Sequence, residues 1–463
     1  MPSDPLKIAV YREISRQWIA CLQAGRPECG YEHPAIRNMT RFLLKTPEHT
    51  WGNPGRYSLP GCGGSTVAHP HLPCWWDDYR NLSSADGEAL LNTQPYRHAA
   101  ASYAEQWFMS NDLAVAALEH ASHPLAAPIR AAIAALSNVT RPSTRGFERL
   151  SDPSAAVKLS CGATVKIGAD GSIASLKAAS GSDWASPSKP LGAFVWRSYN
   201  ESDWQPFTYN WVKGHKEVEN FCKPGSNNFS EQANFFPRVT DVHVDKAGSA
   251  VIVSMAMPSR ALKYGAPTTL TLSANLSATT TGDLRASLQL RWFGQTPTMI
   301  GVGAQVLFAP RPQLRRQSAE NRSAWSLEKL GSSIDPENVI AGGNQWNHGV
   351  FRGVEATTAA GVMRIEALDT AIYNMMTREF PWGNALPAAY QRTPDMPAST
   401  GAGLPPLAPG SVFGVAAGLF NNLWNTNYPL WYPYYDPAYC ADGPLSCSNQ
   451  NQLFRFELAF TAR

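Results

Sequence analysis

A multidomain α+β fold, with a helical bundle followed by a large antiparallel β-sandwich, is the class the sequence predicts, and three observations point to it. Apolar residues recur every three or four positions through residues 1–140 and then switch to strict alternation through 155–463. The chain has 35 Gly and 36 Pro, 11% aromatic residues and only 16% charged residues, a mix that suits strands and long loops. At 463 residues it is long enough for two or three cores.

The bundle is legible from its start. Asp4 caps the free N–H groups of a helix whose first turn accepts Pro5. Tyr11, Ile14, Trp18 and Leu22 share one face of it, and Gly25 to Gly30 break it. His33-Pro34 opens a second helix with Ile36, Met39, Phe42 and Leu43 in phase, and Pro47 stops it. Residues 53–78 form a long loop rich in Gly, Pro, His and Cys, of the kind that usually serves function. A third helix is expected over Tyr96–His120, with Tyr96, Ala100, Tyr103 and Trp107 on one side, and a fourth, rich in Ala, over Pro124–Leu136.

After a Ser/Pro/Arg-rich link at 141–154 the period becomes two. Val157 through Ile167 reads as one strand ending in an Ala169-Asp170-Gly171 turn. Val242/Val244 and Val251 to Met257 flank a hairpin turn at 245–248. Further strands are expected at 270–276, 286–292, 302–308, 363–367 and 454–460. Long loops are expected at 180–235, 310–348 and 380–410. Alternation of this kind means antiparallel sheets packed face to face.

The formal charge of +3 and the absence of a dense Lys/Arg run exclude the electrostatic footprint of nucleic-acid binding. No apolar run is long enough for a bilayer. Three pairs among the eight cysteines are close in sequence (21/29, 62/74 and 440/447), which suits local disulfides and an oxidising compartment. Asn-x-Ser/Thr sequons at Asn38, Asn81, Asn138, Asn200, Asn228, Asn275 and Asn321 agree with secretion, yet Met1 to Lys7 is no signal peptide. The expectation is a protein of the secretory pathway or vacuolar lumen whose address lies upstream of Met1.

Four constellations carry candidate chemistry. His49, between Glu48 and Thr50 and followed by Trp51, can ligate a metal or move a proton, or serve as a loop histidine bonded to backbone. His69, His71, Cys74, Trp75, Trp76, Asp77 and Asp78 decorate the 53–78 loop. His69 and His71 can ligate metal, and Asp77 and Asp78 can act as acid–base groups. A disulfide-pinned surface loop is the favoured reading for the two histidines, and Trp75 and Trp76 stay open between the two. Trp346 and His348, within the run Gly342 to Gly349, can stack on a sugar ring and meet hydroxyls, or simply pack a turn. The segment Asn421 to Tyr435 combines neutral amides with aromatic rings. Trp424, Asn425, Asn427, Tyr428 and Trp431 are its candidate sugar-binding residues, with a Pro-pinned cluster sealing the core as the alternative.

The order of these elements resembles glycoside hydrolase family 38, the α-mannosidases. It resembles more closely a set of uncharacterised proteins related to that family. The residues that carry the likeness are Ser3-Asp4-Pro5-Leu6-Lys7, Pro47-Glu48-His49-Thr50-Trp51-Gly52 and the late Trp424-Asn425-Thr426-Asn427-Tyr428. The resemblance implies a galactose-mutarotase-like β-supersandwich over 155–463. It also implies a retaining glycosidase in which zinc holds sugar hydroxyls beside a carboxylate nucleophile. His49 matches the bundle's zinc ligand by context, although Glu48-His49-Thr50 replaces the His-His-Asp pattern. The catalytic barrel of the same polypeptide, with the nucleophile and remaining ligands, is expected upstream of Met1, so that this chain alone is expected to be inactive. The expected partner is a glycan or polysaccharide. Two other readings are a carbohydrate-binding module without catalysis and a supersandwich polysaccharide lyase or epimerase.

Overall fold

A computed structural model of the chain describes residues 4–46, 105, 107–203, 226–279, 283–296, 300–316, 322–339, 346–377, 407–422 and 451–462. Most of them lie in antiparallel strands, preceded by a smaller helical part.

Helix α1 spans Pro5–Gln23, and Asp4 caps it by accepting from the Lys7 N–H at 3.1 Å. Its buried face is Leu6, Ala9, Val10, Ile14 and Cys21, so of the expected Tyr11/Ile14/Trp18/Leu22 stripe only Ile14 is fully buried. Leu22 is exposed, while Tyr11 and Trp18 are only half-buried. Helix α2 spans Pro34–Leu43, and the Nδ1 of His33 accepts from the Ala35 N–H at 3.3 Å. It ends at Leu43, before Pro47, in turns that the Lys45 and Thr46 N–H groups close by donating to the Phe42 and Leu43 carbonyls at 3.0 Å. A disulfide joins Cys21 to Cys29 with Cα atoms 5.9 Å apart, as the spacing predicts. Cys161 is not disulfide-bonded, and the 62/74 and 440/447 pairs lie outside the described residues.

The expected third helix is described from Trp107 onward, and it is not a regular α-helix. A π-helical turn over Phe108–Leu113 leads into α3, Ala114–His120. The fourth helix, α4, runs Ala126–Ser137, two residues later than expected at its start. His123 closes the corner before it: Nδ1 accepts from the Leu125 N–H at 3.2 Å and Nε2 donates to the Glu28 carbonyl at 3.0 Å.

The strands are β1 (147–149), β2 (157–158), β3 (164–167), β4 (173–177), β5 (191–198), β6 (233–235), β7 (238–245), β8 (250–256), β9 (269–278) and β10 (284–293). They continue as β11 (302–308), β12 (325–329), β13 (332–334), β14 (347–349), β15 (353–358), β16 (361–367), β17 (372–376), β18 (414–422) and β19 (452–462). One sheet has the order β1-β7-β8-β9-β10-β19-β16-β15-β12-β13, and the other β14-β17-β18-β11-β5-β4-β3-β2 with β6 beside β5. Aromatic rings join the two inner faces. Trp292 on β10 lies 6.2 Å from Trp196 on β5, and Phe456 on β19 lies 5.2 Å from Phe308 on β11.

Three strand expectations change. The run 157–167 is a hairpin, β2 and β3, turned at Gly162 with φ +82°. The expected loop 180–235 contains β5 and β6, and 310–348 contains β12 and β13. Seven of the eight β5 residues are buried, so no alternation marks it; a strand covered on both faces reads as a continuous apolar run.

Helix α1 is fastened to the sandwich by charge. The Arg12 guanidinium donates to the carbonyls of Leu368 (2.9 Å), Ala367 (3.0 Å) and Phe351 (3.1 Å). Arg455 on β19 bridges Asp369 (2.7 Å) and Glu13 of α1 (2.8 Å). Burial would raise the Glu13 carboxyl, but Arg16, Gln17 and Arg455 outweigh it and hold it down to about 2. A depressed carboxyl contributes stability that is complete above its unfolded pKa and is lost as pH falls through its folded one. Acid unfolding is therefore expected to show a loss between pH 4.5 and about 2 that Glu13→Gln removes, read from urea midpoints across that range. An unchanged pH profile in Glu13→Gln would contradict the role of this carboxylate.

Candidate functional site

The middle strands of the nine-stranded sheet carry two different rows of side chains. On the inner row, Trp196, Val306, Phe308 and Phe420 fill the main core. On the outer row the antiparallel register aligns Ala193 with Leu307 and Ala416, Val195 with Gln305 and Gly418, and Arg197 with Gly303 and Asn421. Ala193, Leu307, Ala309, Met376 and Ala416 form an apolar cluster of their own, separate from the main core. The floor of this outer face is thus Ala193, Ala416, Gly303 and Gly418 with Val195 and Leu307, all of them buried, and polar side chains stand at one end.

Those polar side chains are incompletely bonded. Arg197 Nε, Gln305 Oε1 and Asn421 Oδ1 are all buried without a hydrogen-bond partner, and Gln305 is only 8% exposed. Buried polar atoms normally have partners, and each one left without costs about 1–3 kcal/mol. Gly303 leaves room for Tyr199: a Cβ there would stand 3.1 Å from the Tyr199 hydroxyl. The Arg197 guanidinium lies 5.0 Å from the centre of the Tyr199 ring. Asp203, itself buried, accepts from Arg197 Nη2 (3.0 Å), Gln232 Nε2 (2.6 Å) and the Asn200 N–H (3.1 Å). The cation is therefore compensated, and the face presents a guanidinium N–H and two amide carbonyls without net charge. Farther along the same row, Ala416 aligns with Asn374 on β17, which aligns with Asn347 on β14. Such a set can position hydroxyl groups; its carboxylate, Asp203, is already committed to three donors.

The sequence-predicted residues fall in two groups. Trp346 and His348 sit at β14, on the inner side of the sheet edge. His348 is buried opposite Tyr373, and its Nδ1 accepts from the Lys329 ammonium at 3.2 Å. Burial lowers the pKa of Lys329. Trp346 is half-buried against the main core, and its carbonyl accepts from the Met375 N–H at 2.7 Å. Between them Asn347 belongs to the outer row. His49, Trp51, Trp424, Asn425, Asn427, Tyr428 and Trp431 lie outside the described residues. Zinc finds no donor set within the described residues, where no three His, Cys, Asp or Glu side chains converge. No helix among them is long and apolar enough to cross a membrane.

Arg197, Tyr199, Asp203 and Gln305 were not legible as site residues. One signal was available: Gln305 is the single polar side chain in Val302-Gly303-Ala304-Gln305-Val306-Leu307-Phe308, a run otherwise fit for burial.

The family model described as "Domain of unknown function (DUF5054)" matches residues 1–62 and 68–282, more than half of the chain. The chain belongs to the DUF5054 family. None of the curated proteins matches it in sequence. Among solved structures, this DUF5054 member is similar to an α-mannosidase from Enterococcus faecalis, at 9% identity and a TM-score of 0.36 over 70% of this chain and 31% of the other. It thus spans about a third of that mannosidase's length. It is also similar to a putative aldose 1-epimerase from Escherichia coli, at 11% identity and a TM-score of 0.26 over 67% of this chain and 99% of the other. A galactose mutarotase related enzyme from Lactobacillus acidophilus shows 9% identity and a TM-score of 0.29 over 68% of this chain and 97% of the other.

Proposed function

We propose that the chain is the bundle-plus-sandwich portion of an α-mannosidase-like glycoside hydrolase and that it binds a neutral glycan on the outer face of the nine-stranded sheet. The observation that carries the binding role is the row of three unpartnered atoms, Arg197 Nε, Gln305 Oε1 and Asn421 Oδ1, over a floor of Gly, Ala, Val and Leu. Sugar hydroxyls are both donors and acceptors, so one pyranose can satisfy a guanidinium N–H and two carbonyls together. Asn421 opens the segment 421–435, whose Asn, Trp and Tyr content suits sugar binding.

The link to the mannosidases rests on the sequence resemblance and on element order: a Pro-initiated, Asp-capped helix, a helical part fastened to a sandwich, and the sandwich itself. Leu22, Tyr31, Leu44 and Phe108 are exposed on the helical part, and in this reading they belong to the side that receives a catalytic domain. In this reading the division falls near residues 140–155, the protein works in the secretory pathway or vacuolar lumen, and hydrolysis needs groups that the described residues do not supply.

The test is calorimetric titration of the chain with an α-linked manno-oligosaccharide. Binding is expected, and Gln305→Ala with Asn421→Ala is expected to weaken it at least tenfold while circular dichroism stays unchanged. Equal affinity in the folded double variant would refute the site. Zinc-dependent hydrolysis of an aryl α-mannoside by this chain alone would refute the division of labour. The binding-module alternative shares this site; release of unsaturated products from a uronic-acid polymer would instead establish a lyase.

A further inference from the structure

The outer face of the ten-stranded sheet holds a second set of buried polar atoms without partners. The β9–β10 register places Thr271 opposite Arg291 and Ser273 opposite Gln289, all on the side away from the Leu270, Leu272 and Leu290 core. Thr271 is 3% exposed. Thr271 Oγ1, Ser273 Oγ and Arg291 Nη1 are buried and unpartnered. Arg291 Nη2 donates to Gln289 Oε1 at 2.6 Å.

This set differs from the first in charge. The neighbouring acids serve other cations. Asp241 on β7 pairs with Arg149, while Asp369 and Glu13 take Arg455, which lies on β19 opposite Gln289. His243 on β7, whose Nδ1 is also unpartnered, aligns through Ile252 with Ser273. The Arg291 guanidinium is thus a half-buried cation with an amide carbonyl for company, and burial lowers its pKa with no carboxylate opposing. A cation in such surroundings is costly unless an opposite charge joins it. A guanidinium edge beside two hydroxyls matches the geometry of a group with several oxygens sharing a negative charge.

We propose that Arg291, Thr271 and Ser273 bind an oxyanion group, a sulfate or carboxylate, at the outer face of the ten-stranded sheet. The site is separate from the amide row around Gln305, and its test does not depend on glycan binding there.

The experiment is isothermal titration of the full chain at constant ionic strength with sodium sulfate, glucuronate and galactose 6-sulfate, against sodium chloride. Saturable one-to-one binding of at least one of the three anions is expected, and at least a tenfold loss in Arg291→Met. Thr271→Val, which keeps the charge and shape, is expected to weaken binding at least threefold and covers the case in which Arg291→Met fails to fold. Tighter binding of the sugar-borne anions than of sulfate assigns the group to an acidic sugar; the reverse assigns it to a free anion. No anion-specific heat, or an unchanged affinity in folded Arg291→Met or in Thr271→Val, overturns the proposal.

Discussion

Replacing Asp369 by alanine is expected to destabilise the protein by about 3–5 kcal/mol, the usual loss when one partner of a buried ion pair is removed. Its side chain is 1% exposed. It accepts from the Arg455 backbone N–H at 2.8 Å, from Nε at 3.0 Å and from Nη2 at 2.7 Å. Removing it leaves the Arg455 guanidinium with Glu13 alone and takes away the pairing of Asp369 with Arg16 of α1 (3.7 Å). Urea unfolding measures the loss. Asp369→Asn, which keeps the acceptor oxygen but not the charge, should fall between wild type and alanine. A change below about 1 kcal/mol, the range of a surface pair, would show that the helices do not depend on this bridge.

Trp292→Ala is expected to cost about 3–5 kcal/mol, as for other large-to-small changes of buried aromatics. The indole is fully buried between the sheets. Its ring centre lies 4.9 Å from Phe454, 6.2 Å from Trp196, 6.3 Å from Phe194 and 6.3 Å from Phe420. Four rings from both sheets would lose a common neighbour, and a rigid core collapses only partly into the space. Trp292→Phe keeps part of the volume and should lose less. A Trp292→Ala variant that unfolds at the wild-type urea concentration would mean that the two sheets are not joined through this contact.

The fold was legible where one side of an element faces water. On β10, Leu284, Ala286, Leu288, Leu290 and Trp292 are buried and their neighbours are more exposed, so the period of two appears in the sequence. Helix caps were legible because Asp4 and His33 act on N–H groups a few residues away. Strands β5 and β11 defeat this logic in different ways. The burial of β5 on both faces erased its signal, while β11 kept a readable Val302/Ala304/Val306/Phe308 row although every residue is buried.

The candidate site was legible only at its edge. Asn421 belongs to a segment whose composition suggests sugar binding, but Arg197, Gly303 and Gln305 join it through pairing of strands more than a hundred residues apart in places. Register, not local composition, brings those groups together. It also separates Asn347 from Trp346 and His348, because successive strand residues face opposite sides.

A glycan bound on the outer face of the nine-stranded sheet would satisfy the polar row around Gln305. The most direct measurement is a nitrogen–proton correlation spectrum of the labelled chain during titration with an α-linked manno-oligosaccharide. The side-chain amide signals of Gln305 and Asn421 and the Nε–H signal of Arg197 are expected to shift together with one dissociation constant, while the Gln289 amide on the other sheet stays in place. A titration to saturating oligosaccharide in which the Gln305, Asn421 and Arg197 signals do not move would rule out glycan binding at this row.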